Sequence, residues 1–299
     1  MTIKMNHVSL RYFVEVADCG SIRQAAQRLH VAASAVSRQI ANLEHDLQAE
    51  LIERSPGGVT LTAAGALVAE QGRSMFRGFD RIRSLVDDLK QLRRGRLDIF
   101  CVEGLATEFL PRAIAAFHNK YPDVSYQVIT AATDRIVEAL LQDECDFGIT
   151  INLAARPEIK VVACRTEQVH AIVSRLHPLA DRGSITLQEA GGYPAAMLLG
   201  SFGVRQLLDQ AFASCGVTPR QLMSSNSVAA IKGLVLEGAA IAFMSPSLIR
   251  RELEEGSLLA KAIVATPQTA YRLELCVHNK RHLSFAARAM LDALTQQLR

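Results

Sequence analysis

No stretch of about eighteen uninterrupted apolar residues occurs in the 299-residue sequence, which excludes a transmembrane helix. The richest window, Ala229 to Ile249, is broken by Lys232, Glu237 and Pro246. The opening residues, Met1-Thr2-Ile3-Lys4-Met5, lack the apolar core of a signal peptide, so a cytoplasmic location is expected. Cys19, Cys101, Cys145, Cys164, Cys215 and Cys276 are scattered, with no Cys-x-x-Cys pair and no Cys/His cluster at zinc spacing. They read as reduced, mostly buried thiols, and no metal site is expected. A Gly-x-Ser-x-Gly elbow, a Walker loop and Gly-x-Gly-x-x-Gly are all missing. His170, His177, His278 and His282 stand apart, without a nucleophile beside them. Neither an enzyme nor a cofactor is expected.

What is present suits a soluble globular protein: 49% hydrophobic and 21% charged residues, over a length that calls for two or more cores. A net charge of +3 is too small to imply nucleic acid, but its distribution is informative. Residues 1–43 carry Lys4, Arg11, Arg23, Arg28 and Arg38 against Glu15 and Asp18, and Glu44, Asp46, Glu50 and Glu53 follow at once.

Leu10, Phe13, Val14 and Ala17 form the stripe of an amphipathic helix, with Asn6 to cap it and Gly20 to end it. Ser21-Ile22-Arg23-Gln24 reads as a capping box opening a short helix, Ile22 to Leu29, whose Ala25 and Ala26 allow a close crossing. After a corner at His30-Val31-Ala32, a third helix runs from about Ala33 to Leu47, with Val36, Ile40, Leu43 and Leu47 as its buried seam. Its opposite side offers Ser34 and Arg38, flanked by Ser37 and Asn42, a surface suited to a major groove. Leu51 to Arg54 and Val59 to Leu61 are short strands about the turn Ser55-Pro56-Gly57-Gly58. Helix-turn-helix plus hairpin is a winged helix.

Phe13, Gly20-Ser21, Ala25-Ala26, Leu29-His30-Val31, Ala35-Val36-Ser37-Arg38-Gln39-Ile40, Leu43-Glu44, Leu47, Leu51, Glu53-Arg54, Leu61-Thr62 and Gly65 together resemble the DNA-binding domain of LysR-type transcriptional regulators. The resemblance implies double-stranded DNA with an inverted-repeat operator as a partner, contacted through Ser34, Ser37, Arg38, Asn42, Arg54 and Thr60. Arg54 either meets a phosphate or pairs with Glu50 or Glu53. Many family members have Ser, Gln and Pro where this chain has Ala32, Ala33 and Ser34, and Ala33 offers a base only its methyl. The wing tip also lacks the basic residue of many relatives.

A helix then runs from Thr62 to about Arg93, with Val68, Met75, Ile82 and Leu89 seven apart and Leu85 and Leu92 between. At about 45 Å it is too long to be covered by its own neighbours, and packs on a second copy or, alternatively, within its own chain. The resemblance favours the first, a dimer, with assembly to a tetramer and contact with RNA polymerase as further expectations. Arg93-Arg94-Gly95-Arg96 is a hinge-like stop.

Beyond it strands alternate with helices: strand 97–102, helix 109–120, strand 124–130, helix 132–142, strand 147–151. This order implies a parallel sheet covered by helices. Strand material at 161–173, an element at 185–190, strand 195–199, helix 204–214, strand 221–225, helix 229–237 and strand 240–244 follow. Strand 271–278 and helix 284–298 end the chain. Phe109-Leu110-Pro111, Phe117, Tyr121-Pro122, Asp146-Phe147-Gly148-Ile149, His177-Pro178-Leu179-Ala180, Val235 and Gly238 resemble the LysR effector-binding domain.

The expected fold is thus α/β: an N-terminal winged helix-turn-helix (1–64), a long linker helix (65–94), and a two-lobed effector-binding domain (95–299) like the periplasmic binding proteins. Lobe I is 95–165 with 268–299, and lobe II is 166–267. A small-molecule effector is expected in the cleft, at the carboxyl ends of strands. Candidates are Gly104, Thr133, Thr150, Ser201, Phe202, Arg205 and Ser245. Gly104 stands where the family commonly has Ser or Thr; Thr133 matches a second pocket position or merely caps a helix. Helix N-termini and small polar side chains favour an anion, for which Arg205 is the candidate partner, unless it is a surface residue. The rival reading is a two-lobed solute-binding or enzymatic protein without a DNA role.

Overall fold

The computed structural model describes residues 6–55, 58–89, 94–264 and 269–298. The chain forms two compact units, Met1–Arg83 and Ser84–Arg299.

In the first unit, α1 (His7–Cys19) starts on Asn6, whose side chain accepts from the Val8 N–H at 2.9 Å. It stops at Gly20, where φ is 63°. Such a left-handed turn suits glycine because a Cβ is penalised there. In α2 (Ile22–Leu29) only half of the expected capping box forms: Ser21 Oγ accepts from the Gln24 N–H. α3 (Ala33–Leu47) buries Val36, Ile40 and Leu43 completely against Phe13, Val16 and Ala25. The wing is the antiparallel pair β1 (Ile52–Ser55) and β2 (Gly58–Leu61). It is anchored because the Val59 N–H donates to Gly20 O at 2.9 Å. The tip residues Pro56 and Gly57 lie outside the described residues.

Thr62 caps α4 (Ala63–Leu89), accepting from the Gly65 N–H at 2.9 Å and donating to Glu50 O at 2.7 Å. The first half of α4 is covered by its own unit. Ala69 and Gly72 are buried, and a Cβ on Gly72 would meet Val14 at 2.7 Å. Phe76 packs on the same core, so Val68, half-buried there, leaves the expected seam. Leu67 is exposed near the start of α4, and further along Met75, Phe79, Ile82 and Val86, at 40–58%, are exposed and spaced four, three and four apart. Leu92 and the helix end expected at Arg93 lie outside the described residues, as does the Leu89 side chain.

The second unit holds two sheets. In the first, β3 (Gly95–Cys101) pairs parallel with β4 (Val124–Thr130) and β5 (Phe147–Ile151). The helices α5 (Phe109–Lys120) and α6 (Thr133–Leu141) cross between them. That is the expected parallel portion. Gly148 is required by it: a Cβ there would stand 2.5 Å from Ile136 of α6.

The strand expected over 161–173 is two strands. β6 (Ile159–Gln168) stays with the first sheet, and β7 (His170–Ser174) belongs to the second. Buried Val169 is the crossing point, three residues later than the expected lobe boundary. The second sheet has the order β10-β9-β11-β7-β12-β8. In chain order its parts are β8 (Ser184–Ile185), α7 (Leu187–Gly191), β9 (Pro194–Leu198), α8 (Gly203–Ser214), β10 (Arg220–Ser225), α9 (Val228–Leu236), β11 (Ile241–Met244), α10 (Arg250–Glu255) and β12 (Leu258–Ile263).

The chain then returns. β13 (Ala270–His278) inserts antiparallel between β5 and β6, and α11 (Phe285–Leu298) closes the first lobe. At the crossing, the Val169 N–H donates to Thr269 O at 3.1 Å and Gln168 Nε2 donates to Thr269 Oγ1 at 2.9 Å. The first lobe is also locked by buried Arg281, which pairs with Asp146 at 3.0 Å and Asp143 at 3.2 Å. No helix among the described residues is long and apolar enough to cross a membrane.

Candidate functional site

Opposite its buried seam, α3 exposes Ser34, Arg38 and Asn42, spaced four apart and hence on one face. Ser37 lies half-buried beside them, and Thr60 is exposed on β2. The side chain of Arg54 lies outside the described residues. Arg38 has no ion pair or hydrogen bond among the described residues. The helix opens at Ala32 without a side-chain cap, so its first N–H groups meet no side-chain oxygen.

Glu44, which would repel a phosphate, is turned inward: its Oε1 accepts from the Leu51 N–H at 2.8 Å and the Ile52 N–H at 3.3 Å. It thereby aligns the wing with α3. Gln39 has a similar structural duty, accepting from buried Ser9 at 2.6 Å.

Between the two lobes of the second unit lies a cavity of about 750 Å³, open solvent included. Gly104, Thr133, Phe202 and Ser245 line it. Three expected residues do not. Thr150 is fully buried, its hydroxyl donating to Glu274 O at 3.4 Å, because neighbouring Ile151 takes the cavity side of β5 and strand side chains alternate. Arg205 is spent on the fold, reaching Asp209 at 2.7 Å, Leu198 O at 2.9 Å and Gln221 at 3.0 Å. Ser201 is exposed in the loop before α8. The Thr133 hydroxyl bonds both backbone atoms of Ile151, at 3.1 and 3.2 Å, and so ties α6 to β5.

Two groups were not singled out from the sequence. Glu103 lines the cavity, its Oε2 accepting from the Val228 N–H at 3.0 Å across the lobes. Burial raises its pKa above the carboxylate norm, and that hydrogen bond pulls it part of the way back. Tyr271 also lines the cavity and hydrogen-bonds Ser245; burial first, then Glu167, holds its phenol protonated well above the usual range. Ser245 is bonded to Glu167, whose other oxygen pairs with Arg165 at 2.5 Å. Its neighbour Gly104, a sequence candidate, marked the place of the first group; nothing local marked the second.

All six cysteines are free, and burial pushes Cys101 and Cys145 up to about 12 and Cys276 to about 11, which leaves them unreactive. Of the thiols expected to be mostly buried, Cys101, Cys145 and Cys276 are buried, Cys19 and Cys215 are half-buried, and Cys164 is exposed on β6. No metal-binding cluster occurs among the described residues.

Residues 90–299 match the family description "LysR substrate binding domain", and residues 8–66 match "Bacterial regulatory helix-turn-helix protein, lysR family". The uncharacterized HTH-type transcriptional regulator YbhD of Escherichia coli (strain K12) is 31% identical over 205 residues, 69% of this chain and 65% of that protein. The transcriptional activator protein LysR of the same organism is 27% identical over 267 residues, 89% of this chain and 85% of that one. The crystal structure of full-length CbnR complexed with its target DNA superposes with a TM-score of 0.74 at 22% identity, over 98% of this chain and 100% of that chain. At that identity the likeness speaks for the fold. Because residues 8–66 carry a helix-turn-helix match of their own, the comparisons give no support to the rival reading of a two-lobed protein without a DNA role. The two matches leave uncovered only residues 1–7 and the α4 stretch 67–89, and the chain belongs to the LysR family of transcriptional regulators.

Proposed function

We propose that this regulator reads double-stranded DNA with the exposed face of α3, as paired chains joined along α4, and answers to a small molecule held between its lobes. Residues 1–64 then bind the operator, 65–94 join copies, and 95–299 take the effector. The observation that carries the reading is the line Ser34, Arg38, Asn42: two hydrogen-bonding side chains and one guanidinium on one exposed face, with no carboxylate among them. Ser34, Ser37, Arg38 and Asn42 address base edges and nearby phosphates, while Thr60 and Arg54 hold the flanking backbone. Replacing Arg38 by Ala is expected to weaken operator binding by ~1–3 kcal/mol and to relax base preference. A gel-shift titration that finds both unchanged removes Arg38 from the interface.

Pairing is supported by Met75, Phe79, Ile82 and Val86, which are exposed and spaced four, three and four apart, the spacing of a coiled-coil seam. Two copies of α3 then face the halves of an inverted repeat. Tetramer formation and contact with RNA polymerase extend the same reading. The double substitution Ile82→Asp, Val86→Asp places like charges on both sides of that seam. Sedimentation is expected to register single chains; an unaltered mass refutes pairing through α4. Binding alone is asked of the cleft, so neither catalysis nor a cofactor is required, and a cytoplasmic location suits a protein that must reach DNA.

A further inference from the structure

We propose that the cleft selects an apolar small molecule bearing an amine or hydroxyl donor and discriminates against organic carboxylates. This rests on the reading of the cleft as the effector site, and names the class of effector.

The walls come first. Leu105, Ile151, Leu198, Phe243 and Leu248 give the cavity an apolar lining. Among the described residues, Glu103 and Tyr271 are the only ionisable ones in the lining, which contains no Lys, Arg or His. An anion entering such a space loses water and meets a like charge instead of a counter-ion.

Lys232 of α9, Arg205 of α8 and Arg165 of β6 are already engaged. Lys232 lies between Glu252 at 2.5 Å and Glu108 at 3.5 Å, and Arg205 is held by Asp209. Arg165 pairs with Glu167.

The polar groups expected to receive an anion are also taken. The N-terminus of α9 donates its Val228 N–H to Glu103. The Thr133 hydroxyl donates to Ile151 O, and the Ser245 hydroxyl bonds Glu167. The opening turns of α6 and α8 do reach the cavity without side-chain caps. Each offers a partial charge of about one half, against the full charge of Glu103.

One group on the wall asks for a donor. Glu103 has two carboxylate oxygens: Oε2 holds the Val228 N–H at 3.0 Å, and Oε1 has no hydrogen-bond partner among the described residues. A ligand N–H or O–H donating to Oε1 leaves the existing bond intact. Glu103 precedes α5 in the first lobe and Val228 opens α9 in the second, so such a ligand adds its apolar contacts to a link that already spans the lobes. Binding of this kind favours the joined arrangement over any in which Glu103 and α9 are apart.

Three probes of one shape test the class: 2-phenylethylamine, 2-phenylethanol and phenylacetate, titrated calorimetrically into the intact protein. The amine and the alcohol are expected to bind, with phenylacetate weaker by about tenfold or more, the scale of a hydrogen bond to a charged group. Glu103→Gln is expected to cost the amine about tenfold while leaving the alcohol nearly unchanged. Ala132→Trp, which fills the cavity from its α6 side, is expected to abolish binding of all three while circular dichroism stays that of the folded chain. Phenylacetate binding as tightly as the amine, and lost in Ala132→Trp, overturns the class but leaves the cleft as the effector site. Binding that survives Ala132→Trp moves the effector site elsewhere and overturns both. Failure of the amine and the alcohol to bind at millimolar concentration overturns the class.

Discussion

Gly65→Ala is expected to unfold the DNA-binding unit, lowering its stability by about 3 kcal/mol or more, the upper range for an atom forced into a packed site. A Cβ at this position would stand 1.9 Å from Leu51 O, 2.9 Å from Leu51 C and 3.3 Å from its Cα. All three are backbone atoms, so no side chain can swing aside. Leu51 is itself pinned: its side chain is fully buried, its N–H is held by Glu44, and its carbonyl accepts from the Thr62 N–H at 3.1 Å. Moving it would disturb α3, the wing and the start of α4 together. Thermal melting should show early loss of one transition and, with it, of operator binding, while calorimetry on the effector unit stays normal. A variant that melts and binds DNA as the parent does would show that Leu51 can yield.

Lys232→Met carries the second large effect. The ammonium lies 2.5 Å from Glu252, 3.5 Å from Glu108 and 3.3 Å from Leu248 O, with the Lys232 side chain 11% exposed. The two carboxylates are little more accessible, at 14% and 19%. Taking one partner from a buried ion cluster costs about 3–5 kcal/mol, because the remaining charges are left desolvated; the residual exposure here argues for the lower end. Adding Glu108→Gln should restore part of the stability by removing one of the stranded charges. If denaturant titrations show that Glu108→Gln restores nothing, packing of the lysine stem, not its charge, holds the site. Since Glu108 belongs to the first lobe and Lys232 to the second, the parent cluster also fastens the lobes to each other.

Local chemistry made much of the architecture readable in advance. Helix 109–120 and the strands 124–130 and 147–151 keep the limits drawn from periodicity, because tyrosine-proline and strongly apolar runs punctuate them. The α3 face was legible for the same reason: burial of Val36, Ile40 and Leu43 dictates that Ser34, Arg38 and Asn42 point outward. What escaped depends on partners distant in sequence. The break at Val169 has no turn residue to announce it; it exists because the chain changes sheets there. α10 passed unnoticed because its surface is polar, held by the i,i+4 pairs Arg250–Glu254 and Arg251–Glu255. The antiparallel place of β13 between β5 and β6 follows only from the return of the chain. In the cleft, Thr150 and Ile151 were equally eligible until the register of β5 chose between them, and Tyr271 reaches the cavity from a strand more than a hundred residues beyond β5.

The tie between Val169 and Thr269 bears on how the receptor half can move. Both passages of the chain from lobe to lobe run side by side, and they are stitched together at the place where they leave the first sheet. Two loose tethers would let the lobes swing and swivel independently. A bonded ribbon resists swivelling and yields chiefly by flexing, so effector occupancy is converted into something close to one angular coordinate.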